Sequence, residues 1–136
     1  MPFLNPLDVR LVDPQANAHT GQWQLLVELF YKSERAGKTI IVPQGFTTDF
    51  ASVPRRSVLL WGLFGGRAIR AAAVHDYITR YRVFGREKCD QIFLEAMYAD
   101  GVPITKALPM YLGVAAYTAS GMWKTEIDAP DFEPMA

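Results

Sequence analysis

The stretch that decides the fold is Ala71–Met97, "AAAVHDYITRYRVFGREKCDQIFLEAM". Its second half repeats apolar residues at Cys89, Ile92, Phe93, Ala96 and Met97, the i, i+3, i+4, i+7, i+8 spacing of a helix with one buried face. Its first half places Ile69, Ala72, Ala73 and Tyr77 on one face and Ala71, Val74, Ile78 and Tyr81 on another, so this helix is expected to pack on two sides. The intervening "RVFG" reverses the chain. The spacing therefore predicts helices over about 67–80 and about 86–99, joined as an antiparallel hairpin.

The hairpin gives its ionisable residues a geometry. With the turn near Val83 and Phe84, residues whose numbers sum to about 166 share a height. His75 then lies level with about Gln91, which brings the Asp90 carboxylate within reach of the imidazole. A carboxylate that orients an imidazole sets its tautomer and stabilises the imidazolium, so His75 and Asp90 are candidate catalytic residues, with the ring as a general base on water. Asp76 is rotated by about 100° from His75 around the helix. A carboxylate buried on that adjacent face needs a cation or hydrogen-bond donors. A divalent metal would serve, with Asp49 of "FTTDFASVP" as a second oxygen ligand, and so would an arginine such as Arg55 or Arg56.

Working outward, the front of the chain reads as strands. "LDVRLV" (Leu7–Val12), "WQLLVELFY" (Trp23–Tyr31) and "KTIIVP" (Lys38–Pro43) are separated by the polar "DPQANAHTGQ" and by "KSERAGK", whose Gly37 suits a hairpin turn. "PQGFTTDFASVP" is then expected to lead off the sheet, with Ser52 capping the short apolar segment "SVLLWGLF" and Pro54 in its first turn. No G-x-S-x-G elbow surrounds Ser52, so it reads as a cap, not a nucleophile. A last helix begins near Ile104. It contains "ALPMYLGVAAYTASGMW" (Ala107–Trp123), seventeen residues without a charge, just short of a membrane span, broken by Pro109 and Gly113 and best read as a core helix. The fold class is α+β: a small N-terminal antiparallel sheet, a helical hairpin and a third C-terminal helix.

Composition bounds the rest. The 136 residues are 50% hydrophobic, enough for one globular domain over 1–124, with 125–136 as an acidic, proline-containing tail. Fourteen basic and fourteen acidic residues balance, which argues against a nucleic-acid partner. The balance is uneven along the chain, for Arg55–Lys88 holds eight cations against Asp76 and Glu87. The lone Cys89 excludes an internal disulfide and, lying on the apolar stripe, reads as inert core. "MPFLNPLDVR" lacks the basic-then-apolar pattern of a signal peptide.

These motifs carry a resemblance. "VPQGFTTDFASVPR" followed by "AAAVHDYITRYRVFGREKCDQIFLEAM" resembles the phage and prophage family known as domain of unknown function 1353, whose members share T-D-F-A-S-V-P-R, then H-D-Y and D-x-x-F. The likeness runs from about Gln44 to Trp123. It implies a phage or prophage origin, a location in the host cytoplasm or the virion, and host-envelope molecules or other virion proteins as partners. H-D-Y on one helix and D-x-x-F-x-x-x-M on its neighbour is also similar to the core of the bacterial phospholipase A2 enzymes. That second resemblance implies His75 as the base, Asp90 as its holder and Asp76 as a calcium ligand. The glycine-rich loop of those enzymes has no counterpart in "FTTDFASVPRRS", which offers Asp49 instead. Two expectations follow: a hydrolase acting on an ester or amide of a host-envelope molecule, with calcium or magnesium, or a non-enzymatic virion or assembly protein in which the same residues lock the hairpin. A catalyst needs His75 to face solvent; a lock needs it covered.

Overall fold

The β-branched and aromatic residues at the front of the chain form short strands, and the alanine-rich and periodic segments behind them form helices. The computed structural model describes residues 2–12, 23–48 and 68–120. Among them run strands β1 (Val9–Leu11), β2 (Trp23–Leu25), β3 (Leu29–Ser33), β4 (Lys38–Val42) and β5 (Thr47–Thr48), then helices α1 (Ile69–Arg80), α2 (Arg86–Ala99) and α3 (Ile104–Ser120). The architecture is α+β, antiparallel strands followed by three helices. Asp49, Ser52, Arg55, Arg56, the "SVLLWGLF" segment and the acidic tail lie outside the described residues.

The strands make two small sheets, ordered β1-β2-β5 and β3-β4. The β3-β4 hairpin pairs Tyr31 with Ile40. Its turn is closed by Gly37 at φ 70°, whose N–H donates to the carbonyls of Ser33 and Glu34, a left-handed conformation that glycine adopts without steric cost. The expectation of one strand over Trp23–Tyr31 is corrected: the chain bends at Leu26 and Val27, which are exposed. β2 is held between β1 and β5, whereas β3 pairs with β4. Turning the chain between the two sheets lets Leu25 and Leu29 both reach the core, at 1% and 0% exposure. Thr47 and Thr48, expected to have left the sheet, still pair with β2.

α1 is buried without a gap from Ala71 to Thr79. It lies against α2 on one side and β4 and β5 on the other, which is what its two apolar faces require. Ala71, Ala72 and Ala73 let these neighbours approach closely. On α2 the whole stripe of Cys89, Ile92, Phe93, Ala96 and Met97 is buried. α3 packs on α2 through Ala107, Met110 and Val114 and is not broken at Pro109 or Gly113. Pro109 sits on the exposed side, and so does Thr105, whose carbonyl loses its helical donor to the proline ring. Among the described residues no helix is long and apolar enough to cross a membrane.

Candidate functional site

The antiparallel hairpin of α1 and α2 sets His75 against Asp90. The imidazole Nε2 lies 2.8 Å from Asp90 Oδ1, and both side chains are 1% exposed. Phe93, one helical turn beyond Asp90, tilts against the ring at 4.9 Å between centroids. The register sum from the sequence thus finds the correct partner. In the tautomer whose Nε2–H donates to this carboxylate, the lone pair of the ring falls on Nδ1. The pair is covered, not open to solvent.

Asp76 points to the other side of α1. Its Oδ2 accepts a hydrogen bond from Arg80 Nη2 at 2.9 Å, and the carboxylate side chain is 6% exposed. Arg80 also donates from Nη1 to the Thr47 carbonyl at 2.7 Å and lies over the Phe46 ring at 4.8 Å. A single guanidinium therefore joins the end of α1 to β5, with its charge held on a carboxylate, a carbonyl and a π face. Among the described residues the arginine beside Asp76 is Arg80, an i, i+4 neighbour on one helix; Arg55 and Arg56, the arginines expected from the sequence, lie outside the described residues. Asp49 follows β5 directly but also lies outside the described residues, so its proposed meeting with Asp76 has no geometry here. Among the described residues no three His, Cys, Asp or Glu side chains are grouped to hold a metal.

Cys89 neighbours the dyad but has different chemistry. Its thiol lies within hydrogen-bonding distance of the carbonyls of Phe84 (3.5 Å) and Ile78 (3.6 Å). Burial, with a smaller contribution from the Asp90 charge, pushes its pKa up to about 12. It remains a thiol at neutral pH and is no nucleophile.

A second polar cluster escaped the sequence reading. Glu95, one turn beyond Gln91 on α2, accepts hydrogen bonds from the Tyr31 hydroxyl, from Ser33 Oγ at 2.7 Å and from the Arg35 N–H at 3.0 Å. Burial first, and then the Glu95 hydrogen bond and charge, hold the Tyr31 phenol well above the ordinary tyrosine range. A third tie, Arg70 to Asp100, has a 3.0 Å bond from Nε to Oδ2, while Nη1 reaches the Asn5 carbonyl at 3.0 Å. Both clusters fasten helices to the front of the chain, over separations for which sequence spacing carries no signal.

Comparison with known proteins places this geometry in a family context. The sequence pattern of the family described as "Protein of unknown function (DUF1353)" matches residues 23–114, a span that contains His75, Asp76, Arg80, Asp90 and Glu95. An "Uncharacterized protein y4jT" of Sinorhizobium fredii is 32% identical over 87 residues, 63% of this chain and 26% of that protein. The matched part is thus about a quarter of the relative's length. No solved structure matches the chain.

Proposed function

The chain belongs to the family of proteins of unknown function DUF1353, and from that premise we propose that it is a phage- or prophage-encoded virion or assembly protein whose His-Asp pair locks its helical hairpin. One observation carries the reading: His75 and Asp90 satisfy each other at 2.8 Å with 1% of each side chain exposed. A buried carboxylate without a donor is costly, and one that meets an imidazole across a seam fixes the register of two helices. Asp76, closed by Arg80 against β5, supports the same reading. The partners on this reading are other virion proteins.

A second reading has its own support. Asp90 meets Nε2, and in the tautomer that donates to it the basic lone pair falls on Nδ1, the polarity a general base needs if a substrate or water reaches that atom. On this reading the protein hydrolyses an ester or amide of a host-envelope molecule. Calcium or magnesium would then act through Asp76 and Asp49, with Arg80 displaced from the Asp76 carboxylate.

His75→Ala separates the two. The lock predicts a loss of about 3 kcal/mol in unfolding free energy, from the lost His75–Asp90 hydrogen bond and the cavity left in the seam. It also predicts no change in hydrolysis of phospholipid vesicles with calcium present, because neither protein turns them over. The hydrolase predicts turnover by the native protein that the variant abolishes. Thermal unfolding and a fatty-acid release assay on the same preparations distinguish these outcomes.

A further inference from the structure

Away from the seam, the turn of the β3-β4 hairpin meets the turn between α1 and α2. There a solvent-open depression of about 620 Å³ is lined by Arg35, Gly85, Arg86, Glu87, Lys88 and Gln91. Three of these six residues are cations and one is an acid. Glu87 does little to neutralise them. Its side chain is 81% exposed and 3.7 Å from Arg86, a distance at which a solvated pair is weak.

Two of the cations, Arg35 and Lys88, are positioned by neutral groups. Arg35 Nη1 donates to the Gln91 side-chain oxygen at 3.2 Å, while the Arg35 backbone N–H is fixed on Glu95 at 3.0 Å. The Lys88 ammonium lies 4.9 Å from the centre of the Phe84 ring. An amide and a ring face orient a cation without cancelling its charge. The first turn of α2 adds its partial positive charge on the same side, but the depression and its three side chains carry the argument. Two of the eight cations of the Arg55–Lys88 run, Arg86 and Lys88, line the depression, joined by Arg35 from the β3-β4 turn; the His-Asp seam engages none of the three.

We propose that this depression binds an anionic ligand bearing two or more phosphate or carboxylate groups. A single exposed ion pair contributes little, so useful affinity requires several charges bound at once. The depression is wide enough for a small molecule spanning two or three cations. Guanidinium and ammonium groups recognise both phosphate and carboxylate oxygens, so the test has an arm for each.

The experiment is an NMR titration of the full chain with pyrophosphate and, separately, with citrate, following backbone amides. Saturable shifts confined to Arg35, Lys38 and the Phe84–Gln91 segment are expected with at least one of them. Response to pyrophosphate alone identifies a phosphate ligand, and response to citrate alone a polycarboxylate. Arg35→Gln and Lys88→Gln, both on exposed side chains, should each weaken binding about tenfold and leave the melting temperature unchanged. Shifts that do not saturate at millimolar ligand, or binding that survives the double variant undiminished, would overturn the site.

Discussion

Two carboxylates on α2, five residues apart and so on different faces of the helix, are satisfied in different ways: Asp90 is fully buried and Glu95 partly buried. Asp90 faces α1 and meets the His75 ring from fifteen residues away across a short turn. Glu95 faces the sheet and takes three donors from β3 and its turn, sixty or more residues away. At the seam a local hairpin brings the partners together, so chain geometry alone decides who meets whom. At the sheet the partners meet only when α2 docks on β3, and the interaction records that docking. The first pair specifies a register; the second fixes the position of one layer on another.

The largest effect should fall on the seam. Asp90→Ala removes the acceptor of a fully buried imidazole and opens a cavity between two helices, for an expected loss of about 3 kcal/mol. Asp90→Asn keeps the volume and one acceptor oxygen and should lose about 1 kcal/mol. Urea unfolding measures both. Equal losses in the two variants would mean that packing, and not the hydrogen bond, holds the seam.

Glu95→Gln comes next. A neutral amide offers one acceptor oxygen to three donors, so a loss of about 2 kcal/mol is expected. A double-mutant cycle with Tyr31→Phe should give a coupling of about 1 kcal/mol, and none would detach Tyr31 from the network. pH gives an independent check. The folded state holds the Tyr31 proton above the ordinary range, while the unfolded state releases it near pH 10, so stability is present below that pH and falls as pH rises past about 10. Tyr31→Phe should flatten that part of the slope.

The contrast also explains how much was legible. The stripe from Cys89 to Met97, the two apolar faces of α1 and the register that pairs His75 with Asp90 are consequences of helical period and one short turn, and all can be read from spacing. The contact of Arg80 with Asp76 is equally local, an i, i+4 pair on one helix, while Arg55 and Arg56 lie outside the described residues. The split of Trp23–Tyr31 into β2 and β3 was not legible. Its residues are apolar almost throughout, and which of them pair with β1, with β5 or with β4 depends on segments elsewhere in the chain. The Glu95 cluster failed for the same reason. Asp49 stays a sequence reading, since its residue lies outside those described.

A smaller effect tests the Asp76 side of α1. Arg80 is 26% exposed, so part of its charge is already solvated and Arg80→Gln should lose about 1.5 kcal/mol. Calcium or magnesium should restore that loss only if a metal can replace the guanidinium beside Asp76. Calorimetric melting of the variant with and without each ion reports it. Rescue would favour the hydrolase reading, and its absence the lock.

The smallest effect lies in the turn that sets the hairpin register. Arg82 has φ 47°, a left-handed conformation in which an L side chain crowds its own backbone at a cost of about 1 kcal/mol. The position follows Tyr81, the C-cap of α1, and closes the last turn: the Arg82 N–H donates to the Thr79 carbonyl, and the next N–H, that of Val83, reaches the Ile78 carbonyl at 3.0 Å. Such a helix end is the usual place for glycine. Arg82→Gly relieves the crowding but adds freedom to the unfolded chain and removes what the arginine side chain contacts. The net expectation is a gain of about 0.5 kcal/mol, read as a small rise in melting temperature with the His75–Asp90 contact intact by NMR. A loss above about 1 kcal/mol would show that the Arg82 side chain helps hold the turn. The seam register would then depend on a contact as well as on chain geometry, and the distinction between the two carboxylates would narrow.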